Sequence, residues 1–176
     1  MRNRISLLAV VALVGSFAFG TMVRAQDVQP VGLTVRAGAF FPTESATRDA
    51  TEDVWFTAGL EYKLGNLGEP DPSNNYRAEY SISGDYYGSG DFTAIPVLVN
   101  YVGHVDTFRY SLGVGVTFAD TPDDNNKTVF GYRFAVGYEF ATGSTPFFIE
   151  GGYMGASGSG VESKLNGFFA GVGFRF

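Results

Sequence analysis

Along most of this chain, apolar and polar residues alternate with a period of two. In segment 107–118, Phe108, Tyr110, Leu112, Val114, Val116 and Phe118 share one face, opposite Arg109, Ser111, Gly113, Gly115 and Thr117. Segment 129–140 repeats the design, with Phe130, Tyr132, Phe134, Val136, Tyr138 and Phe140 opposite Gly131, Arg133, Ala135, Gly137 and Glu139. Successive side chains of a strand point to opposite sides, so this period predicts strands rather than helices. The same reading covers Leu33 to Phe41, Val54 to Leu64, Phe147 to Tyr153 and Phe168 to Phe176. Segment 76–86 alternates less cleanly. Segment 92–102 is apolar on both faces and contains Pro96. Proline lacks the N–H that an interior strand uses, so a bulge or a rim is expected there.

Eight strands result: 32–41, 54–64, 76–86, 92–102, 107–118, 129–141, 147–156 and 166–176. The connectors 42–53, 65–75, 120–128 and 157–160 are rich in turn formers. The bulky faces carry no charge. The opposite faces carry Arg36, Glu61, Lys63, Arg77, Glu79, Asp85, Arg109, Arg133, Glu139, Glu150 and Arg175, six basic residues and five acidic ones. A soluble barrel turns its apolar face inward. Here that would crowd Phe and Tyr into a narrow tube and leave Arg and Glu in water. The opposite facing places near-balanced charges in the lumen, where they neutralise one another, and inward glycines leave them room. The expected fold is therefore all-β, an eight-stranded antiparallel up-and-down transmembrane β-barrel. Closure matters in lipid, because an open edge would strand unpaired N–H and C=O groups. Aromatics near strand ends, among them Tyr62, Tyr76, Phe92, Tyr101, Phe108 and Phe140, are expected at the lipid interfaces.

Composition adds limits. The 176 residues include 24 Gly, 17 Phe, 10 Tyr and no Cys. Disulfides, thiol nucleophiles and thiolate metal sites are excluded. Residues 1–25 read as a signal peptide: Arg2 and Arg4, an apolar stretch from Ile5 to Phe19, and Val23-Arg24-Ala25 before Gln26. Residues 26–176 form the barrel domain. After cleavage, 9 basic and 18 acidic residues leave a formal charge of −9. Nucleic acid is not an expected partner, because phosphate binding needs a basic patch.

Candidate chemistry is sparse. His104 is the sole histidine and falls in the predicted turn Tyr101–Asp106, so it is expected in solvent. No HExxH, GxSxG or P-loop pattern occurs, and an enzyme is not expected. Asp120-Thr121-Pro122-Asp123-Asp124-Asn125-Asn126 is rich in oxygen ligands. It lacks the sixth-position glycine and distal glutamate of a calcium loop, so it reads as solvated charge. No cofactor or metal is expected.

The signal sequence, the eight alternating segments and the ending Phe168-Phe169-Ala170-Gly171-Val172-Gly173-Phe174-Arg175-Phe176 resemble the small outer-membrane β-barrel family, with its OmpA-type and OmpX-type transmembrane domains and porin-like members. The resemblance spans 32–176. It implies a place in the bacterial cell outer membrane, both termini in the periplasm, and outer-membrane lipid as surroundings. It also implies that Phe168, Ala170, Val172, Phe174 and Phe176 form the signal read by the barrel-assembly machinery. The 65–75 connector departs from the family by being long for a periplasmic turn. The leading functional expectation is a monomeric structural or surface-interaction scaffold without an open channel. The alternatives are a narrow porin-like channel for small solutes and a secreted soluble ligand-binding barrel.

Overall fold

The computed structural model describes residues 32–69, 75–122, 126–140, 146–159, 161 and 163–176. The expected signal peptide and residues 123–125 of the acidic connector lie outside these. In chain order the elements are β1 (Leu33–Pro42), α1 (Ser45–Ala50), β2 (Trp55–Asn66), β3 (Tyr76–Ser89), β4 (Phe92–Val105), β5 (Phe108–Asp120), β6 (Lys127–Phe140), β7 (Phe147–Ser157) and β8 (Gly167–Arg175). Every strand pairs antiparallel with its sequence neighbour, and β8 returns to β1 through pairs from Thr34–Arg175 to Pro42–Gly167. The strands are long enough to cross a hydrocarbon layer, which takes about 9–11 tilted residues. No described helix is long and apolar enough to do so.

The facing follows the alternation. Outward side chains include Leu60, Tyr62, Val99, Leu112, Val114, Phe134, Val136 and Phe168, all exposed. Inward ones include Arg36, Glu61, Arg109, Arg133 and Glu150, all buried. A continuous apolar wall of this size on a closed barrel suits lipid and not water.

Several local expectations are corrected. Strands β3 and β4 run to Ser89 and Val105, beyond the expected 86 and 102. The two-residue turns Gly90-Asp91 and Asp106-Thr107 absorb the difference. Both begin at positive φ, +62° at Gly90 and +53° at Asp106, which suits the twist of tight hairpins. Pro96 does not create a bulge. Its ladder to β5 is intact (Pro96 opposite Thr117). Pairing with β3 is interrupted between Gly84–Val97 and Tyr87–Ala94 and resumes in the same register. The missing N–H thus removes ladder contacts on one side only. The register shift that does occur is in β2, between Lys63 and Gly65. Connector 42–53, read as turn, holds α1, tied down where Arg48 Nη1 donates to the carbonyls of Pro42 and Thr43 at 2.9 Å each.

Phe92 is not at a lipid interface. It is 6% exposed and points into the lumen. Both faces of β4 are apolar, so its sequence gave no parity signal. Asn100 and His104 on the same face settle it.

Candidate functional site

The inward side chains sort into three layers along the barrel. One end, here the helix end, carries α1 and the connectors after β5 and β7; the other, the turn end, carries the Asp106-Thr107 turn.

At the helix end the lumen is apolar. Phe40, Trp55, Tyr87, Phe92, Met154 and Phe169 pack there, and Val161 and Leu165 reach in from the connector between β7 and β8. The Phe40 ring lies 4.5 Å from Tyr87 and 5.4 Å from Trp55, centroid to centroid. The polar tips are satisfied. Tyr87 donates to the Leu165 carbonyl at 3.0 Å, and Trp55 Nε1 donates to the Glu52 carbonyl at 2.9 Å. The first of these bonds fastens the connector across the mouth.

The middle layer is a chain of alternating charge. Asp85 accepts from Arg36 at 2.8 Å, and Arg36 donates to Glu61 at 2.9 Å. Glu61 accepts from Arg109 at 2.7 Å; Arg109 donates to Glu150 at 3.0 Å; Glu150 accepts from Arg133 at 2.5 Å. Arg133 ends the chain on Ser111 Oγ at 3.0 Å. Six strands each contribute one charge, and three cations face three anions. Guanidinium suits the role because its fork serves two carboxylates while its face covers a ring. Arg109 lies 4.7 Å above Phe148 and Arg133 lies 4.6 Å above Phe169. Glycine is required beside this chain: a Cβ on Gly59 would sit 1.9 Å from Asp85 Oδ1.

The turn-end layer is more open. Lys63 pairs with Glu79 at 2.9 Å, Arg175 with Glu139 at 2.8 Å and Arg77 with Glu139 at 3.5 Å. His104 stands between the two carboxylates, with Nε2 3.3 Å from Glu79 and Nδ1 3.1 Å from Glu139. All eleven charged residues singled out in the sequence thus engage in ion pairs, six in the middle layer and five at the turn end.

The structure corrects the placement of His104. It is 1% exposed, inside β4 and not in a solvated turn. Extending the 92–102 alternation by two residues would have put it on the face of Asn100. The apolar layer also escaped the sequence reading, because Val161 and Leu165 belong to an irregular connector with no period. Among the described residues, no group of three or more acidic or histidine side chains is placed to hold a metal.

No family model and no curated protein matches the chain. Among solved structures, the outer membrane enzyme PagL superposes with a TM-score of 0.50 over 81% of this chain and 98% of that one, at 13% identity. The likeness supports the outer-membrane barrel class, while the narrower OmpA-type or OmpX-type assignment finds no match. It also corrects the expectation that the chain is not an enzyme, since a barrel of this architecture is one. The physical reason is that a barrel brings residues from distant strands together, so a motif scan along the sequence does not test for catalysis. What the wall, the closed ladder and this likeness establish together is the fold: an eight-stranded β-barrel of the outer-membrane type.

Proposed function

We propose that the chain is a closed scaffold in the bacterial outer membrane, holding its helix-end connectors at the membrane surface without conducting solute. The observation that carries this reading is the filled lumen. An apolar layer and a paired-charge layer lie in series, and the cavity between Arg36, Asp85, Arg133, Glu150, Met154 and Phe169 measures about 20 Å³, room for one water. Eight-stranded barrels are narrow enough for side chains to fill them. The buried side chains of both layers count against the porin-like alternative among the described residues. The soluble alternative would leave the apolar wall in water.

The surroundings follow from the same wall. Lipid is the partner its side chains fit, a single copy closes the sheet without a second chain, and the acidic balance disfavours nucleic acid. Phe168, Ala170, Val172 and Phe174 share the outward face of β8, so they are available as an assembly signal, continued by Phe176.

Planar-bilayer recording tests the closed lumen. The refolded protein is expected to give no current steps above background. A variant with Arg109→Gln and Arg133→Gln is expected to stay closed as well, because the apolar layer remains. Discrete steps in the unaltered protein that change size on Arg109→Gln would remove the scaffold reading and favour the pore.

A further inference from the structure

The outer wall is chemically uneven at the turn end. From β5 round to β8 its rings are chiefly phenyl: Phe108, Phe140, Phe147 and Phe174, interrupted by Tyr138. Across β3, β4 and β5 they are phenols: Tyr76, Tyr101 and Tyr110. Phe has no polar tip, whereas a phenol brings an O–H donor to the level of the headgroups.

The three phenols converge. The register places Ala78 opposite Gly103, and Gly103 opposite Tyr110. These two small residues make a floor, with Tyr76 two residues from Ala78 and Tyr101 two residues from Gly103 on the same outward face. The floor is needed, because a Cβ on Gly103 would lie 2.3 Å from the Tyr110 ring. The hydroxyls of Tyr76 and Tyr101 hydrogen-bond to each other, and the Tyr110 ring lies 6.1 Å from that of Tyr101, its hydroxyl end laid over Gly103. Three phenol hydroxyls are therefore gathered on one stretch of an otherwise apolar wall, and a phosphate oxygen arriving there would take the proton that Tyr76 and Tyr101 now share. One step further toward the aqueous side, the Asp106-Thr107 turn carries an exposed carboxylate. Asp106 accepts from the Asn75 amide at 2.7 Å, and a carboxylate has further acceptor sites to offer.

We propose that Tyr76, Tyr101 and Tyr110 seat the phosphodiester of an aminophospholipid, whose ammonium group reaches Asp106. The order of groups matches. In such a lipid the phosphate lies nearer the hydrocarbon and the ammonium lies farther out, as the phenols and Asp106 do here. A lipid with an anionic glycerol headgroup brings no cation to Asp106 and meets its charge instead. The seat therefore distinguishes headgroups by charge complementarity, on a surface whose phenols alone would accept either.

The inference rests on the lipid-facing reading of the wall, and its test separates the two. Protein refolded into vesicles of equal phosphatidylethanolamine and phosphatidylglycerol is extracted in mild detergent, and retained lipid is counted by native mass spectrometry. Ethanolamine lipid is expected to exceed glycerol lipid by about fivefold, the ratio that one net hydrogen bond of about 1 kcal/mol produces. The triple variant Tyr76→Phe, Tyr101→Phe, Tyr110→Phe keeps the rings and should keep heat-dependent gel mobility while losing the retained lipid. Asp106→Asn should keep the lipid and lose the preference. Equal retention by the unaltered protein and the triple variant overturns the seat. So does release of the lipid by millimolar inorganic phosphate, which would assign the phenols to free phosphate. Failure of the unaltered protein to enter vesicles overturns the lipid-facing reading itself.

Discussion

Replacing Val114 with arginine is expected to abolish most barrel assembly in vesicles, whereas Val114→Leu should leave it intact. Val114 sits mid-strand in β5, points outward and is 57% exposed. Its cross-strand neighbours are Val99 and Tyr132, so the wall around it is apolar and aromatic. A cation at mid-membrane depth on a barrel costs roughly 2–4 kcal/mol, while a leucine adds only apolar area. The readout is the fraction migrating as the folded, heat-sensitive species on a gel. Gly113, the inward neighbour, makes a poor control, because a Cβ there would sit 2.2 Å from Asn100 Oδ1. Equal yields from the arginine and leucine variants would mean that the wall does not face lipid.

The second large effect is expected from Arg109→Met. Arg109 is 2% exposed and joins Glu61 to Glu150 in the middle of the charge chain. Methionine fills similar volume but leaves each carboxylate one cation short. Removing one partner of a buried pair typically destabilises by about 3–5 kcal/mol, because the remaining charge is uncompensated. Urea titration of the refolded protein should show a midpoint shift of corresponding size. Adding Glu61→Gln should recover part of the loss, since it removes the one anion left in excess where three carboxylates face two guanidiniums. Arg36 would then keep Asp85 as its charged partner at 2.8 Å. No recovery in the double variant would show that the six groups do not act as one chain.

The parts of this molecule that were legible in the sequence are those where alternation carries chemical contrast. In β5, and in β6 from Phe130 through Tyr138, each bulky apolar residue on the outward face is followed by a small, hydroxyl-bearing or charged one, so the facing of these strands could be read directly. In β4 the contrast fails. Phe92, Ala94, Leu98 and Val102 face the lumen, yet Ile95, Val97 and Val99 face outward with the same polarity. Phe92 and His104 were misplaced for that reason. Partner choice was also beyond the sequence. Arg36 and Asp85 lie 49 positions apart, and only the closed register brings them within 2.8 Å. The apolar layer depends on Val161 and Leu165, which reach the lumen through a connector whose path no periodicity encodes. The absence of a catalytic motif carried no weight for a related reason: a motif scan reads neighbours along the chain, whereas a barrel brings together groups from separate strands.

The central claim is that even-numbered positions of β5 touch lipid while odd-numbered ones meet one another inside a filled tube. The chain has no cysteine, so a single introduced thiol at 108, 110, 112, 114, 116 or 118 takes a nitroxide label uniquely on the face that leaves room for it. Collision rates with oxygen, which dissolves in lipid, and with a water-soluble nickel chelate should be measured in vesicles. The predicted result is oxygen access highest at 112 and 114, with nickel access low there and rising toward 108 and 118. Nickel access at 112 and 114 equal to that at the strand ends would contradict it.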